Sequence, residues 1–280
     1  MTTQEGKPLA GKTIIMSGGS RGIGLAIALR AAADGANVTL LAKTAEPHPK
    51  LEGTVYTAAK EIEAAGGTAL AIVGDVRNDA DVESAVAQTV ERFGGIDIVV
   101  NNASAIDLSP TRDISMKKYD LMQSVNERGT FLLSKTAIPH LERSANAHIL
   151  TLSPPLDLRP KWAGTYLGYT MAKYGMSLVT LGLAEELKSS GIAANSLWPR
   201  TTIATAAVKN LLGGDAATAK ARSPKIMSDA AYAILVRPSR ECTGNFYIDE
   251  QVLAEEGITD FSSYRLGENE ADLQTDLFLD

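Results

Sequence analysis

The sequence is poor in the residues that build disulfides, metal sites and nucleic-acid interfaces. It has one cysteine, Cys242, and three histidines among 280 residues. An intrachain disulfide is excluded, and a structural zinc site of the usual four-ligand kind lacks donors, so we expect no metal. Lys and Arg number 27 against 33 Asp and Glu, a net charge of −6. A net negative charge does not favour binding to a phosphate backbone, so nucleic acid is not an expected partner.

Long hydrophobic runs are also missing. No apolar run reaches the roughly 18 residues that a membrane span needs. Residues 1–10 are polar and lack the apolar stretch of a signal peptide. We therefore expect a cytoplasmic protein with no membrane span. Hydrophobic residues make up 45% and charged residues 21%, which is the composition of a globular domain.

Short apolar strands alternate with helices along most of the chain. The predicted strands cover residues 13–16, 37–42, 68–73, 96–100, 148–152, 192–197 and 245–248. The main predicted helices cover residues 22–33, 55–65, 79–93, 115–141 (interrupted near 126–129) and 169–188. Strands that are apolar on both faces indicate a parallel sheet covered by helices on both sides. We expect one doubly wound, Rossmann-type α/β domain over residues 1–280. Its acidic tail, residues 251–280, is expected at the surface or at a subunit contact.

A glycine-rich loop follows the first predicted strand and opens the first helix. Gly18 permits a tight turn, Gly22 lets the backbone approach a pyrophosphate, and Gly24 allows close helix–strand packing. The helix N-terminus offers free N–H groups to phosphates. We expect cofactor contacts from Gly18, Ser20, Arg21, Gly22, Ile23 and Gly24.

The end of the second strand distinguishes between the two nicotinamide cofactors. NAD-binding folds usually carry an acidic residue here to hold the ribose 2′-hydroxyl. This sequence has Ala42 followed by Lys43, with Arg21 in the glycine loop. A lysine attracts a 2′-phosphate, so NADP(H) is favoured over NAD(H). The alternative is that Lys43 is an ordinary solvated lysine.

Tyr169 and Lys173 are four residues apart in a predicted helix, which places both on one face. A nearby ammonium favours the phenolate, so we expect the pKa of Tyr169 to fall from about 10 toward neutrality. The tyrosine could then exchange a proton with a hydroxyl–carbonyl pair. A Tyr and a Lys four residues apart in a helix occur mostly by chance. A catalytic role is favoured here because the pair follows the fifth strand of a dinucleotide fold.

These motifs together resemble the short-chain dehydrogenase/reductase family. The resemblance covers residues 12–249 and includes Asn101-Asn102-Ala103 and Asn126. It implies hydride transfer at a carbonyl or alcohol, with Tyr169 as the acid/base and Asn126 anchoring a water. Lys173 would hold the nicotinamide ribose and lower the tyrosine pKa. Further cofactor contacts are expected from Asp75, Val76, Asn102, Ala103, Pro199, Thr201 and Ile203.

The sequence departs from the family pattern after the fifth strand. The family's serine pair is Ser153-Pro154 here, and proline cannot donate a hydrogen bond. Either Ser153 takes the catalytic role or positioning of the substrate oxygen is weakened. After the sixth strand the sequence reads Pro199-Arg200, so contacts from Thr201 and Ile203 are displaced from the common pattern.

The leading hypothesis is an NADP(H)-dependent oxidoreductase that interconverts a small hydrophobic alcohol and its ketone or aldehyde. Residues 200–224 form a long loop whose Leu211 and Leu212 suggest an apolar lid. One alternative is a nucleotide-binding protein with little or no turnover. Another is a non-redox reaction, such as a dehydratase or epimerase step, on the same frame. The resemblance also implies a homo-oligomer, a dimer or tetramer formed through the two long helices.

Overall fold

A computed structural model of the chain describes residues 6–47, 53–206, 208 and 214–280. Within these residues, seven strands form one sheet in the order β3-β2-β1-β4-β5-β6-β7, and every neighbouring pair is parallel. The strands are β1 (Thr13–Ser17), β2 (Asn37–Ala42), β3 (Thr68–Val73), β4 (Ile98–Asn101), β5 (His148–Thr151), β6 (Ala193–Trp198) and β7 (Phe246–Ile248). The strand order reverses between β1 and β4, which is where such sheets bind their ligands.

Helices cover both faces of the sheet, so the predicted Rossmann-type fold is confirmed. They are α1 (Gly22–Ala32), α2 (Val55–Ala64), α3 (Asp79–Phe93), α4 (Met116–Met122), α5 (Gly129–Leu141), α6 (Pro160–Thr165), α7 (Leu167–Glu186), α8 (Asp215–Thr218), α9 (Lys225–Leu235) and α10 (Asp249–Glu255). A π-helical segment, Gln123–Arg128, joins α4 to α5. It begins three residues before the predicted interruption of this helical region.

The hydrophobic core has two layers because successive strand residues face opposite sides of the sheet. In β1, Ile14 and Met16 pack into the layer beneath α1, α2 and α9. Ile15, between them, packs into the layer beneath α3, α5 and α7. This alternation explains why the strands read as continuous apolar runs.

Local sequence signals set the ends of the helices. The Asn78 side chain accepts a hydrogen bond from the Asp81 N–H and caps α3, and Gly94 ends the helix with φ 85°. Thr54 caps α2 in the same way and forms a capping box with Thr57. These caps fix the first residues of α2 and α3 and the last residue of α3.

A few residues of the stretch 251–280 are buried, although the sequence predicts this tail at the surface or at a subunit contact. Val252 and Leu253 of α10 are buried in the core, as is Tyr264. Phe278 is only 4% exposed, although acidic residues surround it in the sequence. These four residues fold back onto the domain, whereas most other positions of the region, acidic and non-acidic, are exposed.

Candidate active site

The glycine loop and the end of β4 are packed so closely that side chains are excluded. Gly18 has φ +73°, and a Cβ there would lie 2.8 Å from the Ala103 Cα. A Cβ on Gly24 would lie 2.5 Å from the Asn102 Nδ2. Because Gly18 has no side chain, the Asn102 Nδ2 can donate a 2.7 Å hydrogen bond to the Gly18 carbonyl. No side chain caps the start of α1, so its first N–H groups are available to a phosphate.

A cleft of about 1490 Å³ opens above this loop. It exceeds the roughly 300–1,000 Å³ of a drug-sized pocket, which suits a dinucleotide. The predicted cofactor residues that line it are Gly18, Ser20, Arg21, Gly22, Ile23, Lys43, Asp75, Val76, Asn102 and Ala103. Gly24, Lys173, Pro199, Thr201 and Ile203 are outside its lining.

After β6, the cleft is lined by residues that the sequence analysis missed. Ile203 is 2% exposed and packs into the core, whereas Ala204, Thr205 and Ala206 border the cleft. The offset of the Thr-Thr-Ile-Ala-Thr stretch from the family pattern was the available signal. Leu211 and Leu212, expected in an apolar lid, are outside the described residues.

Charged side chains gather at the end of the cleft formed by β2 and β3. Lys43 Nζ lies 3.5 Å from an Asp75 carboxylate oxygen, and the Lys43 side chain is 57% exposed. Arg77 forms a 2.5 Å ion pair with the same carboxylate, and this hydrogen bond lowers the pKa of Asp75 to about 2. Arg21 donates to the Gly53 carbonyl at 2.7 Å. Lys43 is thus half in solvent and held by one long ion pair.

Tyr169 and Lys173 are both buried on α7, with 5% and 3% exposure. Lys173 Nζ donates to the Leu152 carbonyl at 2.8 Å. Burial lowers the pKa of Lys173 to about 7, with Asp276 opposing that shift. Burial also raises the pKa of Tyr169. The expected fall in the tyrosine pKa is therefore wrong for this state, because desolvation outweighs any help from the ammonium.

Asn126 lies in the π-helical segment and is fully buried. Its Oδ1 accepts from the Ala105 N–H at 2.7 Å, and its Nδ2 donates to the Ala105 carbonyl at 3.0 Å. This pair of bonds fixes the loop after β4 against the helix. The neighbouring Gln123 donates to the Gly168 carbonyl at 3.1 Å, which ties the segment to α7. A water-binding role for Asn126 stays a prediction.

Two hydroxyl groups at the strand ends are in different environments. Ser153 is fully buried, and its Oγ lies 2.8 Å from the Ser196 Oγ. To act as the catalytic serine it would have to exchange that partner, so its role also stays a prediction. Thr201 Oγ1 is buried and, within the described part of the chain, has no hydrogen-bond partner. An unpaired buried hydroxyl of this kind suits an amide group of a ligand.

An aromatic cluster that the sequence analysis missed covers Tyr169. The Phe278 ring stacks on the Tyr169 ring with centroids 6.1 Å apart and an interplanar angle of 29°. It also contacts Trp162, Tyr174 and Trp198 at centroid distances of 6.2, 5.3 and 5.9 Å. The only sequence signal was an aromatic residue in an acidic stretch. Phe278 thus covers the predicted acid/base.

The chain is similar to known proteins of one family. A family model described as short chain dehydrogenase matches residues 12–214. The chain belongs to the short-chain dehydrogenase/reductase family. Members of this family are oxidoreductases that act on CH–OH or C=O groups with nicotinamide cofactors.

The family assignment also has support from individual proteins. Hydroxysteroid dehydrogenase-like protein 2 is 57% identical in Danio rerio and 54% in Homo sapiens, each over 97% of this chain. The chain spans 65% and 64% of the length of these relatives. A short chain dehydrogenase structure from Mycobacterium thermoresistibile is 59% identical with a TM-score of 0.92, and the match covers 97% of this chain and 96% of that one.

The site fits a nicotinamide dinucleotide. The glycine cradle and the uncapped start of α1 each provide a place that a dinucleotide can use. Among the described helices, none is both long and apolar enough to cross a bilayer. The described residues also contain no group of three or more His, Cys, Asp or Glu arranged to hold a metal ion.

Proposed function

We propose that the protein is an NADP(H)-dependent oxidoreductase that interconverts a hydrophobic alcohol and its ketone or aldehyde. The observation that carries the proposal is the arrangement of two neighbouring features at one edge of the sheet. One is the dinucleotide-sized cleft above the glycine loop. The other is the pair Tyr169 and Lys173, buried one turn apart on α7.

The cofactor would be held by groups that line the cleft and by Thr201, which lies outside the lining. The free N–H groups at the start of α1 suit the diphosphate, and the Thr201 hydroxyl suits the carboxamide of the nicotinamide. When bound, the nicotinamide supplies or accepts the hydride. Lys43 favours NADP(H), since its exposed ammonium can turn from Asp75 to a 2′-phosphate.

Tyr169 would move the proton. In reduction, its hydroxyl donates a proton to the substrate oxygen, and in oxidation its phenolate accepts the proton from the alcohol. Burial is the largest cause of its raised pKa in the closed state. We expect that pKa to fall once the site opens, because water or a charged cofactor then replaces the apolar cover. Lys173 would then stabilise the phenolate and hold the ribose.

The test is the substitution Tyr169→Phe, which removes the hydroxyl and keeps the ring. We expect carbonyl reduction by NADPH to fall by about 10²–10⁴-fold, the usual contribution of a positioned acid/base. NADPH affinity should stay within about twofold, because Tyr169 is outside the cleft lining. The turnover rate is measured from the nicotinamide absorbance, and the NADPH affinity is measured by fluorescence titration.

The matched control is Tyr56→Phe, since Tyr56 is 51% exposed on α2 and away from the cleft. Full activity in Tyr169→Phe would contradict the proposed chemistry. No turnover in the unsubstituted protein, with NADPH still bound, would favour the nucleotide-binding alternative.

We also propose a second copy of this chain as a partner. On α5, Phe131 is 51% exposed, and on α7, Leu178 and Leu181 are 59% and 45% exposed. These apolar side chains lie on the two helical regions expected to form a homo-oligomer. The oligomeric state is measured by light scattering, and a monomer at micromolar concentration would contradict this part of the proposal.

A further inference from the structure

The cover over Tyr169 is a specific segment, residues 273–280. It runs beside the loop after β6, where Thr275 pairs with Thr201 in an antiparallel bridge. The Leu277 carbonyl accepts a 2.8 Å hydrogen bond from Trp198 Nε1. Asp280 forms ion pairs with Arg159 and Lys161 at the surface. The segment is therefore attached at its two ends and inserts Phe278 between them.

Phe278 closes the side of the site from which a substrate must reach the acid/base. A proton can pass only over hydrogen-bond distance, yet Tyr169 is 5% exposed. The dinucleotide cleft stops short of it, since neither Tyr169 nor Lys173 lines that space. Some group in contact with Tyr169 must therefore move before turnover. Phe278 stacks directly on its ring.

The conformation of the segment indicates that it can be released. Among the described residues, Phe278 is the only one other than glycine with a positive φ, at 70°. A phenylalanine in that region is strained, so its ring contacts must hold it there. Asp276 is next to the cluster and near Asp249, a second buried carboxyl group, with which it interacts unfavourably. These features weaken the closed state.

The rings around Phe278 indicate what takes its place. Trp162, Tyr169, Tyr174 and Trp198 surround one flat ring on several sides. Offset and edge contacts of this kind favour aromatic over saturated rings of the same size. A ring in the Phe278 position would hold an attached carbonyl group beside Tyr169.

We infer that the cavity filled by Phe278 is the substrate site, and that it takes an aromatic ring bearing the reacting carbonyl or alcohol carbon. Phe278 is an internal occupant that this substrate displaces. The inference rests on the proposed function, because it places the substrate beside the proposed acid/base.

The test measures binding of two ketones of the same skeleton, acetophenone and cyclohexyl methyl ketone, by calorimetry with and without NADP⁺. The variant Phe278→Ala should bind acetophenone more than about tenfold tighter than the unsubstituted protein does. It should also prefer acetophenone over the saturated ketone by about threefold to tenfold. The matched control is Phe93→Ala, at the end of α3, which should change neither value.

A second variant covers the case in which Phe278→Ala does not fold. Asp280→Asn removes a surface charge that pairs with Arg159 and Lys161, and it leaves every ring in place. It should tighten acetophenone binding by about twofold to threefold, because one anchor of the segment is lost.

The outcomes separate this inference from the proposed function. Unchanged or weaker acetophenone binding in both variants would show that Phe278 is a fixed wall and overturn the inference. Equal binding of the two ketones would overturn the aromatic preference. Tight, aryl-selective binding without NADPH oxidation in any variant would support the site and contradict the redox function. Turnover of both ketones with no aryl preference would support the redox function and contradict the aromatic substrate site.

Discussion

The two halves of the site are in opposite states. The cofactor half is an open cleft, and its floor is the closely packed glycine loop around Gly18 and Gly22. The proposed substrate half is closed by a cluster of large aromatic rings around Phe278. Backbone packing thus shapes the cleft before any ligand binds, whereas Phe278, from a distant part of the sequence, covers Tyr169.

Lys43→Asp should have the largest effect on the cofactor half alone. A carboxylate beside Asp75 would repel a 2′-phosphate and accept a bond from a 2′-hydroxyl. We expect the ratio of kcat/KM for NADPH over NADH to fall by about 10–100-fold, as loss of a charge-assisted bond implies. The matched control is Lys60→Asp, an exposed position on α2. An unchanged ratio would show that Lys43 is only a solvated lysine.

Gly18→Ala should damage the glycine loop of the cofactor half. Its φ of +73° costs an alanine about 1–2 kcal/mol, and its Cβ would meet the Ala103 Cα at 2.8 Å. We expect a lower melting temperature and NADPH affinity reduced by about tenfold. Gly95→Ala is the control, since open space surrounds that position. Equal effects from the two substitutions would contradict the close packing of the loop.

Asp276→Asn should act only on the closed half. Burial raises the pKa of Asp276 to about 7, so its protonated form is favoured when the segment is seated. The attachment of residues 273–280 is then strongest below the ordinary carboxyl pKa of about 4, and it weakens as pH rises through about 7. The charged groups facing it are Lys173 on α7 and Asp249 at the start of α10, with Arg200 beside Asp249.

The two tryptophans of the chain, Trp162 and Trp198, both contact Phe278. Their fluorescence therefore reports whether residues 273–280 are attached. Between about pH 5 and pH 9, their emission should shift to the red in the unsubstituted protein as the carboxylate forms. Most of this shift should disappear in Asp276→Asn, and cofactor affinity should change little. An identical shift in the variant would assign the titration to another group.

The open half could be predicted from sequence because it depends on local patterns. Glycine spacing, the apolar strands and the Ala42-Lys43 dipeptide are all visible within a few residues of sequence. The structure places Gly18, Gly22 and Lys43 at the cleft. The Ile203 side chain packs into the core after β6, so its predicted cofactor contact stays a prediction.

The closed half could not be predicted because it depends on a long-range contact. Phe278 meets Tyr169 across more than a hundred residues of sequence, and nothing in the acidic stretch around it specifies that partner. The expected fall in the Tyr169 pKa failed for the same reason. Charge spacing along α7 was visible in the sequence, whereas the burial that outweighs it was not.

The central claim is that the open cleft binds a nicotinamide dinucleotide with a preference for the 2′-phosphate. It is tested most directly by titrating the protein with NADPH and with NADH and following energy transfer from Trp162 and Trp198 to the nicotinamide. We expect saturable binding of NADPH that is at least about tenfold tighter than that of NADH. Saturable binding of neither nucleotide would contradict it, because the glycine cradle and the cleft would then have no ligand to hold.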